Sequence, residues 1–197
     1  MGRKLVETKR RIFHLILGLF MVFLLDQHII GVYHLVAVTL IGFALSFLHR
    51  KRKIGIIEWI LRHFGRKTEE DFPGKGAFFL LVGIILAVSL FPEDIALASI
   101  VILSIGDSIS PLIGTRFGKI KHPLSRDKVL DASAAGFFLA FMVATLFVSP
   151  LEAFIASFLS MMIESVDYVK GRRIEDNVTI PFIAGLSILV LRIFILT

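Results

Sequence analysis

Seven apolar runs, separated by short polar intervals, divide the chain at 12–25, 29–48, 76–91, 95–113, 130–149, 151–166 and 178–196. Most are apolar nearly all the way round rather than along one stripe. That pattern predicts helices dissolved in lipid, with the shorter runs reaching a span of roughly 20 residues by means of their flanks. The fold class expected is all-α: a polytopic helical bundle of about seven transmembrane helices, forming one domain over 1–197. The first run follows a basic segment, as in a signal peptide, but Asp26 and Gln27 come after it instead of a small-residue cleavage site. It is therefore read as a retained span. Residues 54–64, which include Trp59, Arg62 and His63, are too short to cross and predict a helix lying in the interface.

Charge orients the bundle. Lysine and arginine fall in four clusters, at 3–11, 50–75, 116–128 and 170–173, and only Arg192 lies outside them. The alternate turns carry Asp26, Glu93, Asp94 and Glu152 with no lysine or arginine. This is the positive-inside pattern, and it predicts a cytoplasmic amino terminus and an outer carboxyl terminus. The net charge of +6 is thereby explained by topology and anionic headgroups, so no nucleic-acid partner is expected. Arg192, near the outer end of the last run, is expected to snorkel to the surface. Cysteine is absent, which excludes disulfides, thiol nucleophiles and cysteine-ligated metals.

Candidate chemistry begins where a carboxylate interrupts an apolar run. Asp107 lies within 95–113, roughly 10 Å below the inner surface at 1.5 Å per residue. An acid at that depth is costly and marks function. Gly106, Ser110, Gly114 and Gly118 recur every fourth residue, giving a face that another backbone or a nucleotide can approach. Pro111 cannot donate to the carbonyl four residues earlier, so it frees the carbonyl of Asp107 beside its carboxylate. Two such oxygens suit Mg²⁺, which prefers oxygen ligands and retains phosphates and waters. Arg11 and His14, three residues apart, share a face of the first helix. Glu164 and Asp167 share one at the end of the sixth. Asp176 and Asn177 open the last, where Asn177 or Thr179 is expected as the cap and Pro181 is tolerated in the first turn. Glu69, Glu70 and Asp71 are read as a solvated acidic loop.

With the orientation above, Arg11, His14, Asp107, Lys119, Lys121, Lys128, Asp131, Glu164, Asp167, Asp176 and Asn177 all fall at the cytoplasmic face. Carboxylates opposite lysines are what metal-assisted phosphoryl transfer needs: the metal bridges phosphate oxygens, cations neutralise charge, and an acid takes the proton of the attacking hydroxyl. The one-sided arrangement counts against a transporter, which places its site near midplane.

The run Gly106-Asp107-Ser108-(x5)-Gly114-(x2)-Phe117-Gly118-Lys119 resembles the nucleotide-binding signature of the dolichol kinase and phytol kinase family. These are CTP-using lipid-alcohol kinases related to phosphatidate cytidylyltransferases. Arg10-Arg11-(x2)-His14, Pro73-Gly74-Lys75-Gly76, Glu164 and Asp176-Asn177-(x3)-Pro181 resemble further family features, in the same order. Where the family carries Lys-Ser/Thr-x-Glu-Gly-Ser/Thr, this chain has Lys128-Val129-Leu130-Asp131-Ala132-Ser133, shortening the acid and losing a hydroxyl and a glycine.

The resemblance implies CTP as phosphoryl donor, with Mg²⁺. Asp107, Glu164, Asp176 and Asn177 are the expected metal-site residues. Gly106, Ser108, Gly114, Gly118, Lys119, Lys121, Lys128, Ser133 and Arg11 are those expected at the nucleotide, and Asp107, Asp131, Asp167 and His14 those expected in catalysis. The expected reaction moves the γ-phosphoryl group onto a polyprenol, another isoprenoid alcohol or a diacylglycerol-like lipid. A cytidylyltransferase making a CDP-activated lipid is the alternative, and a non-enzymatic scaffold or transporter is the third reading. The compact chain, without an organellar targeting segment, is expected in a prokaryotic plasma membrane. Oligomeric state is left open.

Overall fold

The computed structural model describes residues 2–55, 57–58, 72–121, 128–165, 168–169, 172–173 and 175–196, with side chains excluded at 2–4, 50, 168–169, 172–173 and 196. Seven helices are described: α1 Gly2–Asp26, α2 Val32–Lys51, α3 Lys75–Leu90, α4 Glu93–Phe117, α5 Leu130–Ala144, α6 Pro150–Glu164 and α7 Asp176–Leu196. The one other regular element is a two-residue antiparallel pairing of Tyr168–Val169 with Arg172–Arg173. Each helix corresponds to one apolar run of the sequence. Val32–His49, Glu93–Phe117 and Asp176–Ile195 are long and apolar enough to cross a membrane, whereas Lys75–Leu90 and Leu130–Ala144 are apolar but shorter. Outward-facing Phe20, Phe23, Leu40, Phe138, Phe154 and Phe194 give the bundle the apolar exterior of an integral membrane protein.

Helix α4 is the axis. Every residue from Ile95 to Ser108 is buried, so a helix apolar on all faces occupies the centre, as its composition requires. It packs against α1, α3, α5, α6 and α7, while α2 lies outside this ring against α3. Glu93 and Asp94 in its first turn face the positive end of the helix dipole and begin the helix two residues before the apolar run.

Helix α1 begins about one turn beyond a minimal span, because Glu7 bonds Arg10 (2.6 Å) and Arg11 (3.2 Å) one turn later and sustains the polar stretch as helix. Helix α6 starts at a reciprocal cap, in which Ser149 N–H donates to Glu152 Oε2 (2.8 Å) and Ser149 Oγ accepts from Glu152 N–H (3.4 Å).

The alternation of helices brings two sets of polar residues to opposite ends of the bundle. At one end Arg192 bonds Glu152 Oε1 (2.5 Å) and Asp94 Oδ2 (2.6 Å), tying together α7, α6 and α4. Arg192 stays partly exposed there, its side chain 30% accessible, and also meets two carboxylates at neighbouring helix starts, because a charge-assisted bond competes well with hydration. The sequence-expected outer acids and Arg192 meet at this end. The candidate residues that the structure describes lie toward the other. The interfacial helix expected at 54–64 is described only through Glu58, whose N–H bonds Ile54 O (3.0 Å). Glu69, Glu70, Asp71 and Asp167 lie outside the described residues.

Candidate functional site

Asp107 lies midway along α4 and is 6% exposed, so its charge must be met inside the protein. Arg11 of α1 meets it. Its Nη1 donates to Asp107 Oδ2 (2.6 Å) and to the Asp107 carbonyl (2.7 Å). That carbonyl is the one Pro111 leaves without an intrahelical donor. The expected pair of oxygens thus exists, and in this structure a guanidinium holds both. His14, one turn along α1, places Nε2 3.7 Å from Asp107 Oδ2, and that nitrogen has no hydrogen-bond partner among the described residues.

Glu164 ends α6 and is 1% exposed. Lys128, entering α5 from the loop, donates to the Glu164 carbonyl and sits 3.3 Å from Oε1. Oε2 has no partner among the described residues. Asp107 and Asp176 are both close enough to act on Glu164 electrostatically, so three acids from α4, α6 and α7 share one region. Asn177 lies inside the first turn of α7, not at its cap, because the helix already starts at Asp176. Freed from capping, its Nδ2 crosses to Gly76 O (3.3 Å) on α3 and leaves Oδ1 without a partner among the described residues. The Asn177 carbonyl, which Pro181 cannot bond, lies against Gly83, where a Cβ would collide with it. Lys75 and Glu175 form an ion pair beside this contact.

The small-residue face of α4 is mostly filled by protein. Gly106 abuts the Met161 side chain, Gly114 abuts Val129 and Ala132, and Gly118 abuts Val129. What remains is a cleft of about 180 Å³ lined by Ser110, Pro111, Gly114, Thr115, Lys128, Ser133 and Glu164, among others. Its serines are unusual. In the earlier turns of α4, Ser99 and Ser104 bond their own helix at Ile95 O (2.6 Å) and Ile100 O (2.7 Å). Ser110, and Ser133 on α5, are buried with hydroxyls that find no partner among the described residues, and neither do the buried hydroxyls of Ser108 and Ser157 outside the cleft lining. Leaving a buried polar group unmet costs about 1–3 kcal/mol. A set of them at one end of a bundle therefore calls for further polar partners, from water or from a ligand.

The loop from α4 to α5 returns on itself. Lys121 and Val129 form an isolated bridge, and Leu130 N–H bonds Ile120 O (2.8 Å). Asp131 anchors this stem: Oδ2 accepts from Lys119 N–H (2.9 Å) and Oδ1 from Ala132 N–H (3.2 Å). Lys119 and Lys121 are exposed beside it. Residues 122–127 of the loop, with Asp167 and the Arg172 and Arg173 side chains, lie outside the description. The structure therefore brings Arg11 and His14 to Asp107, and Lys128 to Glu164, with Asp107 and Asp176 in electrostatic reach of Glu164 and Asn177 turned to Gly76 of α3. It sets Lys119, Lys121 and Asp131 at the loop stem. Ser110 is a further member of the site, legible in the sequence only as one step of the small-residue repeat.

The donor set suits a hard divalent ion. Glu164 Oε2 and Asn177 Oδ1 are buried oxygens without partners, and Asp107 and Asp176 add carboxylates. Among the described residues no three His, Cys, Asp or Glu side chains stand close enough to hold a metal on their own. Mg²⁺ is bound by one or two carboxylates and completes its shell with phosphate and water, so a metal here would need oxygens from a ligand.

No protein-family model and no solved structure matches the chain. It is 31% identical to the uncharacterized protein RP860 of Rickettsia prowazekii over 92% of each chain. It is 26% identical to the CTP-dependent diacylglycerol kinase 1 of Schizosaccharomyces pombe over 61% of each chain. It is 27% identical to a probable chloroplastic phytol kinase of Triticum aestivum over 47% of this chain and 31% of the relative. The chain thus spans less than two thirds of either kinase.

Proposed function

The chain belongs to one family with the Rickettsia prowazekii protein RP860, and from its partial likeness to lipid kinases we propose that it is a CTP-dependent kinase of a membrane lipid alcohol. The acceptor is an isoprenoid alcohol such as a polyprenol, or a diacylglycerol-like lipid, and the site faces the cytoplasm of a prokaryotic plasma membrane. The observation that carries the reading is the group of unpartnered buried polar atoms at one end of the bundle, on His14, Ser108, Ser110, Ser133, Glu164 and Asn177. They stand beside Arg11 and Lys128, among helices whose outward faces carry many exposed apolar side chains.

In this reading the acceptor hydroxyl attacks the γ-phosphorus of CTP, the bond from that phosphorus to the β–γ bridging oxygen breaks, and CDP leaves. Lys128, Lys119, Lys121 and Arg11 neutralise the triphosphate, with the Ser108 and Ser133 hydroxyls donating to its oxygens. Asp107, with Glu164, Asp176 and Asn177, would hold Mg²⁺, which supplies charge stabilisation to the transferring phosphoryl group. Arg11 must then exchange Asp107 for a phosphate oxygen, a short move for a guanidinium. The proton of the attacking hydroxyl passes to a carboxylate, Asp131 or Asp167, and His14 orients Asp107.

The test uses purified protein in lipid with CTP labelled at either the γ- or the α-phosphate, followed by counting of the organic phase. Label entering lipid from the γ position alone is expected. Label from the α position alone overturns the kinase in favour of a cytidylyltransferase. No transfer from either position to extracted lipids overturns both and favours a scaffold or transporter.

A further inference from the structure

Arg10 and Arg11 are neighbours on α1 and, at 3.6 residues per turn, leave the helix in directions roughly 100° apart. One carboxylate gathers both. Glu7 Oε1, a turn earlier, accepts from Arg10 Nη2 (2.6 Å) and from Arg11 Nε (3.2 Å). Arg11 Nη1 then reaches on to Asp107 Oδ2 of α4 (2.6 Å). We propose that Glu7 is a positioning residue of the site: it holds Arg11, with Arg10 beside it, where the guanidinium groups receive the triphosphate. The proposal rests on the kinase reading and adds to its site a residue that touches no substrate itself.

Three observations carry the assignment. First, the guanidinium of Arg11 meets an anion at two of its corners, Glu7 at Nε and Asp107 at Nη1. The group is planar and rigid, so two held nitrogens set the direction of the rest. Second, the three side chains form one line of ion pairs running from the start of α1 into the bundle, with exposure falling from 33% at Glu7 to 14% at Arg11 and 9% at Asp107. Salt screens such a partly buried line less than it screens a pair on a helix surface. Third, the phosphoryl-transfer reading requires Arg11 to exchange Asp107 for a phosphate oxygen. Glu7 Oε1 still holds Nε during that exchange, so the guanidinium turns about a fixed nitrogen and stays at the site.

Charge alone predicts the opposite effect. Glu7 is an anion one turn from groups that would bind a triphosphate, so its removal should favour the nucleotide if it acts only through its charge. If it only braces α1 through its pairs with Arg10 and Arg11, its removal should lower stability and leave CTP unaffected.

Wild-type protein, Glu7→Ala and Glu7→Gln are compared in the labelled-CTP assay. Alanine removes the carboxylate and is the strongest helix former, so α1 is retained. Glutamine keeps an oxygen for Arg11 Nε. Glu7→Ala should raise the half-saturating CTP concentration by roughly tenfold or more, the scale of one charged hydrogen bond, with maximal turnover within about threefold of wild type. Glu7→Gln should recover most of that rise. In detergent without nucleotide, phenylglyoxal should modify Arg11 at least fivefold faster in Glu7→Ala than in wild type, as read by peptide mass spectrometry. Should Glu7→Ala fail to fold, Glu7→Asp, one methylene shorter, serves both measurements.

A lower or unchanged half-saturating concentration in a folded Glu7→Ala protein overturns the assignment, and so does an unchanged rate of Arg11 modification. If wild-type protein transfers no phosphoryl group, the kinase reading fails on its own, and the phenylglyoxal rates still decide whether Glu7 holds Arg11.

Discussion

Asp107 and Arg11 show how much one substitution can separate. The two are buried together, and removing Arg11 strips the Asp107 carboxylate of its hydrogen-bonded partner at about 3–5 kcal/mol, whereas Arg11 without that charge keeps its bond to Glu7. Asp107→Asn keeps the shape and the oxygen that Arg11 bonds, so the protein should still fold, while CTP turnover falls by roughly a hundredfold or more. A folded Asp107→Asn protein with ordinary turnover would remove Asp107 from the metal and nucleotide site.

Lys128 and Glu164 allow a cleaner separation. Lys128→Met strands a carboxylate that is 1% exposed and should lower unfolding stability by about 3 kcal/mol. Adding Glu164→Gln should recover most of that loss, as read in a double-mutant cycle of denaturation in detergent. Additive losses would mean that the pair contributes nothing to folding.

Within α4, serines of the same chemistry occupy two regimes. Ser104 bonds its own helix and lies against Gly18 of α1, so Ser104→Ala should cost about 1 kcal/mol. Ser110 has no partner to lose among the described residues, and Ser110→Ala should leave stability within roughly 0.5 kcal/mol of wild type or raise it. Its consequence should appear instead as a higher half-saturating CTP concentration. Equal destabilisation by the two substitutions would show that the cleft serines are structural. Packing between α3 and α7 rests on Gly83, since any side chain there meets the Asn177 carbonyl. Gly83→Val should therefore destabilise by about 1–3 kcal/mol and shift Asn177, lowering both thermal midpoint and turnover.

Across the whole molecule, the two polar ends do different work. Arg192, Glu152 and Asp94 join three helices at the end remote from the site and touch none of its residues. Arg192→Leu should lower stability by about 1 kcal/mol, the scale of partly exposed ion pairs, while turnover per folded molecule stays the same. A selective loss of turnover at unchanged stability would mean that the remote end controls the site. The same up-and-down topology that separates the ends also gathers residues distant in sequence. Arg11 and Asp107 are 96 positions apart and Asn177 and Gly76 are 101, yet all lie at one end because every helix reverses the last.

Much of this is carried by local pattern and so is legible without coordinates. Apolar runs of helix length fix where the seven helices lie, since a backbone in lipid must satisfy itself. The alternation of basic and acidic turns predicts which residues share an end. An aspartate inside an apolar run, with a proline four residues on, points to the candidate site residue and its freed carbonyl. Pairing is another matter, because it depends on which helix faces which, and hydrophobic pattern is silent on that when every face is apolar. Only the tertiary structure decided that Arg11 takes the oxygens of Asp107, that Arg192 pairs with the carboxylates of Glu152 and Asp94, and that protein fills most of the glycine face. It also decided that Ser110 joins the site. A serine's role depends on whether its hydroxyl finds a partner, and that is a property of its neighbours in space.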